Sequence, residues 1–384
     1  MKAADALLAT VMRQPALAQD LPLDGWELLI RQARRSGLLA RLSYRLNAAG
    51  ALAAAPGPAR PHFEEARVLS DKHARDVRWE VRDLRRVLAG VADRPVLLKG
   101  AAYAMTGLPP AEGRVFADID VLVPRENLAA VERRLRDHGW GNWEVDAYDD
   151  RYYRRFTHQI PPLTHFLRGT TLDVHHAIVQ PSARDAVATR PLLEAAQAVL
   201  GEPGLAVLQP TDMVLHSAAH LFNDGEFNRG LRDLDDLNLL LRHFGEQPDF
   251  WPALLARAEA LGLMHPLAYA LRYTAAILAT PVPADCLAAS RRAGPGTLRM
   301  AALDRLFGEA LAPDHPSCRG VSSAPALWLL YVRAHYLRMP LHLLVPHLLR
   351  KALRTEERTR EASVTDANAR LNLPGPTAQS RGHG

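Results

Sequence analysis

Two cysteines, Cys286 and Cys318, are present in 384 residues, too few and too far apart for a disulfide framework or a cysteine zinc site. They read as buried core thiols in a reducing compartment, and the chain is expected to be cytoplasmic. No run of about 18 uninterrupted apolar residues occurs, the length a membrane-spanning helix needs. The N-terminus MKAADALLATVMRQ is amphipathic rather than a charged head followed by an apolar block, so neither a signal peptide nor an integral membrane segment is expected. Lysine is scarce too: Lys2, Lys72, Lys99 and Lys351 are the only ones, and arginine carries the rest of the positive charge. The formal charge of +5 is small for this length, and arginines neighbour acids in EEAR and RTEER. A nucleic-acid partner is therefore permitted but not required.

Apolar residues are plentiful, 48% of the chain, enough for two or three packed units. Apolar residues recur at three- and four-residue spacing in DGWELLIRQARR and LLARLSYRL, so residues 1–92 read as a helical region. It is broken at AAAPGPARP and resumes as a long helix from Phe63 to Ala89. The period then changes. Pro95-Val-Leu-Leu-Lys-Gly is a short apolar run closed by glycine, and Val115 to Val123 and Thr171 to Val179 alternate, all three reading as strands. Residues 93–205 are expected to form a compact α/β core, 206–354 a C-terminal helical domain, and the polar, Pro- and Gly-containing residues 355–384 a disordered tail.

The most informative stretch is Arg114-Val-Phe-Ala-Asp-Ile-Asp-Val-Leu-Val. Residues two apart in a strand share a face, with Cα atoms roughly 6–7 Å apart, so Asp118 and Asp120 project together while Ile119 and Val121 pack on the other side. Two like charges on one face repel, and a hard divalent cation between them relieves the repulsion. A solvated strand face carrying two acids is the bland explanation. A second alternating strand, Leu172-Asp-Val-His-His-Ala-Ile, carries Asp173 at its centre. Set beside the first, it would complete a three-carboxylate cluster, with His175 on the same side. Phosphoryl and nucleotidyl transfer depend on charge neutralisation and in-line placement, which two metal ions supply. Lys99, Gly100 and Arg114 are suitable phosphate contacts, Gly100 leading into a helix whose first amides could face phosphate.

Taken in order, Leu97-Leu-Lys-Gly-Ala-Ala, Arg114, Asp118-Ile-Asp120 and Asp173-Val-His175 resemble the uncharacterised nucleotidyltransferase family of the DNA polymerase β-like superfamily, over roughly residues 90 to 245. The resemblance implies an α+β fold, a small mixed-sheet core flanked by N- and C-terminal helical segments. It implies that Asp118 and Asp120 bind the metal ions carrying a nucleoside triphosphate, and that Asp173 ligates metal or helps activate the attacking hydroxyl. The expected cofactor is Mg²⁺ or Mn²⁺. The acceptor, whether small molecule, RNA or protein, is not encoded in any motif, and His175 is assigned to orienting Asp173 or touching that acceptor. The superfamily's usual Gly-Ser pair is replaced here by Lys99-Gly100. That departure keeps open a non-catalytic descendant that binds a nucleotide or a protein.

His216 and His220 share a helix face, but Ser217 stands where a metalloprotease helix needs Glu. Packing or a substrate-side position is the preferred reading, with a metal-dependent hydrolase built on His216, His220 and Asp233 as the alternative. Leu231-Arg-Asp-Leu-Asp-Asp-Leu either brings Asp233 and Asp236 near the site or forms a solvated helix face. The run from Trp328 to Leu353 reads as core packing rather than as a membrane-surface helix, and Arg154-Arg155 and Arg291-Arg292 as ordinary surface arginines.

Overall fold

The computed structural model describes residues 2–142, 153–154, 157–180, 187–225 and 227–338. The tail expected over 355–384, the end of the run from Trp328 to Leu353, and Arg155 lie outside the described residues. Where apolar residues recur with helical spacing the chain is helical. It begins with α1 (Lys2–Asp5), α2 (Leu7–Arg13), α3 (Leu23–Arg35) and α4 (Leu39–Ala48). In α3 the buried side chains Trp26, Leu29, Ile30 and Ala33 form one stripe. The Pro-Gly break is followed by α5 (Arg60–Leu88), a 29-residue helix with proline in its first turn and Gly90 at φ 78° two residues beyond its end. Trp26 meets Phe63 edge to face at 5.9 Å and joins the start of α5 to α3.

Seven short strands form one mixed sheet in the order β3-β4-β5-β2-β1-β7-β6. They are β1 (Val96–Leu98), β2 (Asp118–Leu122), β3 (Trp140–Gly141), β4 (Leu163–His165), β5 (Thr171–His175), β6 (Gln197–Ala198) and β7 (Ala206–Val207). Three match the anticipated strands, although β2 and β5 are shorter than the alternating runs. The four others have two or three residues each, too few for alternation to register as a pattern. At the centre β2 and β5 run parallel, and β1 and β2 antiparallel. The register pairs Asp118 with Thr171, Asp120 with Asp173 and Leu122 with His175. Because side chains alternate, this fixes Asp118, Asp120, Asp173 and His175 on one face. Ile119, Val121, Leu172 and Val174 fill the opposite side, none more than 1% exposed.

Helix α6 (Lys99–Thr106) follows β1 directly, and α7 (Leu128–Asp137) follows β2. Helix α8 (Arg190–Glu194) precedes β6 and β7, and after β7 the elements among the described residues are all helices: α9 (Pro210–Asn223), α10 (Gly230–Phe244), α11 (Phe250–Ala260), α12 (Met264–Leu278), α13 (Ala284–Ala293), α14 (Thr297–Ala310) and α15 (Ser323–Arg338), with a short 3₁₀ turn at Pro316–Cys318. An aromatic knot of Phe222, Tyr269, Tyr273 and Phe307, with ring centroids 5.2–5.7 Å apart, holds α9, α12 and α14 together. Both cysteines are free and buried. No helix among the described residues is long and apolar enough to cross a membrane.

One buried ion network ties these parts together. Asp235, fully buried on α10, meets Arg45 at 2.9 Å and Arg41 at 3.1 Å, both from α4. Its neighbour Asp236 meets Arg41 at 2.8 Å and pairs with Arg114, from the segment before β2. Arg41 also donates to the carbonyl oxygens of Pro110 and Glu112. Gly113 sits there at φ 64°, and a Cβ added to it would come within 2.4 Å of the Arg41 backbone nitrogen.

Candidate functional site

Leu98, the last residue of β1, lies opposite Asp120, so the next side chain emerges beside that acid. Lys99 is there, its Nζ 3.1 Å from Asp120 Oδ1. To make this turn Lys99 adopts φ 41°, a left-handed conformation that costs a non-glycine residue on the order of 1 kcal/mol. Leu98 is 1% exposed and its partner Asp120 3% exposed, so the strained lysine delivers its charge to a carboxylate already withdrawn from water.

From the other side His175 approaches, its Nε2 2.9 Å from the same oxygen, Asp120 Oδ1. A proton on Nε2 donates to the carboxylate and leaves Nδ1 as an acceptor. That Nδ1 is buried with no hydrogen-bond partner, and so is Oδ1 of Asp173. Orphaned buried acceptors are expensive. One ligand atom from each of Asp120, Asp173 and His175 lies within 4.8 Å of the others, the one such group able to hold a metal ion among the described residues. Two carboxylates and an imidazole are a donor set that suits a divalent cation, and a cation would give the unpartnered Asp173 oxygen a partner.

The charges are unequal. Burial opposes ionisation of Asp120, but the Lys99 ammonium and the His175 hydrogen bond outweigh it and hold this carboxyl well below the usual range. Asp173 has no such help: burial and then the neighbouring Asp120 charge push it up to about 6. Burial and Asp120 also raise Asp118, against Lys99, Arg114 and Arg232. Burial works against the charge on Lys99, yet Asp120, Asp224 and Asp118 together keep its pKa above the ordinary lysine value. One firmly ionised acid thus sits beside one that holds its proton to near-neutral pH.

Histidines complete the surroundings. His158 stacks at 5.0 Å on His175, and α9 supplies His216 and His220, whose rings are 6.5 Å apart. Burial, followed by His175 for His158 and by Lys99 for His216, depresses both well below the usual imidazole value. His220 lies 3.3 Å from Asp224. Tyr103 of α6 shares a hydrogen bond of 2.8 Å with Ser217 and fastens α6 to α9.

Of the residues singled out from sequence, Lys99, Asp120, Asp173 and His175 come together. Asp118 is on their face but exposed at the strand's outer end, outside the tightest group, where His175 takes the third position. Arg114 is 8% exposed and its guanidinium is engaged by Asp236. Gly100 is a packing residue in this arrangement, since a Cβ there would meet Phe116 at 3.0 Å and Arg114 Nε at 3.1 Å. His216, His220 and Asp233 do not form a metal-holding group. The reading of the α10 acids as a solvated face fails for Asp235 and Asp236, which are buried in the ion network. His158, Arg229, Arg232 and Asp224 near the site carried no sequence signal, each being an isolated member of a common residue type.

A family model described as an uncharacterised nucleotidyltransferase matches residues 22–279. No curated protein and no solved structure matches the chain.

Proposed function

The chain belongs to the uncharacterised nucleotidyltransferase family, and from that premise we propose that it moves a nucleoside monophosphate from a nucleoside triphosphate to a hydroxyl or phosphate of an acceptor. Asp118, Asp120 and Asp173 hold Mg²⁺ or Mn²⁺, joined by His175, whose nitrogen favours Mn²⁺. The observation that carries the reading is the parallel register of Asp120 against Asp173 with Asp118 on the same face.

When bound, the metal ions neutralise the triphosphate oxygens and align the attacking and leaving groups. The chain's own residues do the rest. Asp120, kept ionised by Lys99, is a permanent anionic ligand. Asp173 takes the acceptor's proton as the new oxygen–phosphorus bond forms at the α-phosphorus and the bond to the leaving pyrophosphate breaks. Lys99, 3.1 Å from Asp120, would offer its remaining ammonium hydrogens to the phosphate oxygens. His175 orients the carboxylates and borders the acceptor side.

The test is the double variant Asp118→Asn with Asp120→Asn. It should fold, and its melting temperature should no longer rise with nucleotide and Mg²⁺ or Mn²⁺. A full ligand-induced shift in that variant refutes the site. Incubation with labelled nucleotides and a cell extract identifies the acceptor, whether small molecule, RNA or protein. Lys99-Gly100 in place of the superfamily's Gly-Ser pair favours a second reading, in which the site only binds nucleotide. Nucleotide retention without pyrophosphate release selects it.

A further inference from the structure

We infer that Arg229 and Arg232 form a polyphosphate seat facing Asp118, so that a phosphate chain lies between the carboxylate face of β2 and the start of α10. This deepens the reading above and rests on it only for the identity of the anion as a nucleoside triphosphate.

The geometry begins at Gly37, in the turn after α3. It has φ 67°, and a Cβ built on it would meet Arg229 Cδ at 3.5 Å, Arg229 Nε at 3.7 Å and Arg232 Cδ at 3.8 Å. Both arginine stems therefore lie over one point, with the missing side chain giving them room. Arg229 immediately precedes α10 and Arg232 sits in its first turn, so their heads share one end of the helix. The Arg229 carbonyl oxygen accepts from Asp233 N–H at 3.1 Å, but its guanidinium makes no hydrogen bond or ion pair among the described residues. Arg232 spends Nε and one terminal nitrogen on a single oxygen of Asp233, at 2.9 and 2.6 Å, and keeps its other terminal nitrogen.

Asp118 is equally open. It is exposed and, among the described residues, makes no hydrogen bond or ion pair, although Lys99, Arg114 and Arg232 all act on its charge. Arg229 in turn is held below the usual guanidinium value by burial and then by Arg232, with Arg114 adding to the crowding and Asp233 and Asp118 opposing it. Asp118 and the two arginines thus act on one another's charge, yet no side-chain hydrogen bond or ion pair joins Asp118 to either among the described residues. Guanidinium forks match phosphate oxygens in pairs. A phosphate chain fits the arginine wall by itself, and one with a divalent ion on its carboxylate side fits both walls.

The experiment is calorimetric titration of the full chain with inorganic tripolyphosphate in EDTA at low salt. The wild type should bind. Arg229→Gln, at an exposed and unpaired position, should keep its melting temperature and raise Kd about tenfold, and Arg229→Gln with Arg232→Gln should raise it further. Asp118→Asn should tighten binding, because without metal that carboxylate repels the ligand, a gain that a merely structural role for the arginines does not predict. Failure of the wild type to bind tripolyphosphate, or equal Kd values for wild type and Arg229→Gln, overturns the inference. Tripolyphosphate binding in a chain that transfers no nucleotide leaves this seat standing and removes the transferase reading instead.

Discussion

Replacing Asp173 by Asn removes one negative charge from the group of Asp120, Asp173 and His175 and leaves the side-chain shape almost unchanged. In the folded chain this carboxyl is raised to about 6 from an ordinary 3.8, by burial first and by Asp120 second. Between these two values the folded chain keeps a proton that the unfolded chain gives up. Stability contributed by this group is therefore lost as pH rises from about 4 to about 6 and stays lost above that. A shift of that size, at about 1.4 kcal/mol per unit, is on the order of 3 kcal/mol. Asp173→Asn should accordingly be more stable than the wild type by up to about 3 kcal/mol at pH 8 in EDTA, and by about half as much at pH 5. The opposite shift of Asp120 is present in both proteins and drops out of the comparison to first order. Urea unfolding at the two pH values measures the difference. With saturating Mn²⁺ the order should reverse, because the wild type then gains binding energy that the amide forgoes. A variant less stable than wild type at pH 8 in EDTA, or a gain independent of pH, refutes the reasoning that an unrelieved charge resides at Asp173.

Two further outcomes follow from local geometry. Lys99→Ala should weaken nucleotide binding by about 1–3 kcal/mol, the range of a charge-assisted hydrogen bond. Lys99→Gly should bind equally weakly but unfold about 1 kcal/mol harder than the alanine variant, because glycine accepts φ 41° without strain. Nucleotide titration and thermal unfolding check the pair, and equal stability of the two would remove the strain argument. Asp235→Ala leaves Arg41 and Arg45 facing a vacated, fully buried position, so about 3–5 kcal/mol of stability should be lost, measured by denaturant unfolding.

The site strands could be read from sequence because they obey two rules at once: two acids, or an acid and a histidine, two positions apart, with β-branched or aliphatic residues filling the alternate ones. That pairing of Asp118-Ile119-Asp120-Val121 with Leu172-Asp173-Val174-His175 specifies face and phase by itself. Lys99 stood out by the rarity of its type. The same logic fails for Arg229 and Arg232, which lie among so many arginines that neither composition nor spacing marks them. It fails for β3, β4, β6 and β7, whose pairing is decided by neighbours far along the chain rather than by their own two or three residues. Arg114 was legible as a cation near the acids, but its ion pair with Asp236 spans 122 positions and leaves no local trace. His175 was noticed for its phase, whereas its bond to Asp120 follows from the parallel register.

The ion network around Asp235 and Asp236 bears on what can be inherited as a unit. The carboxylate strand has the form of a cassette, a short β-α-β stretch of the kind recombination carries from one chain into another. Its neighbouring Arg114, however, is anchored to an acid from a helix that follows the sheet, and that acid is shared with an arginine from a helix that precedes it. A transplanted sheet would arrive with a buried guanidinium stripped of its counter-charge. The span matched by the family model, residues 22–279, takes in Arg41, Arg45, Arg114, Asp235 and Asp236 together, so the matched segment carries every partner of this buried network.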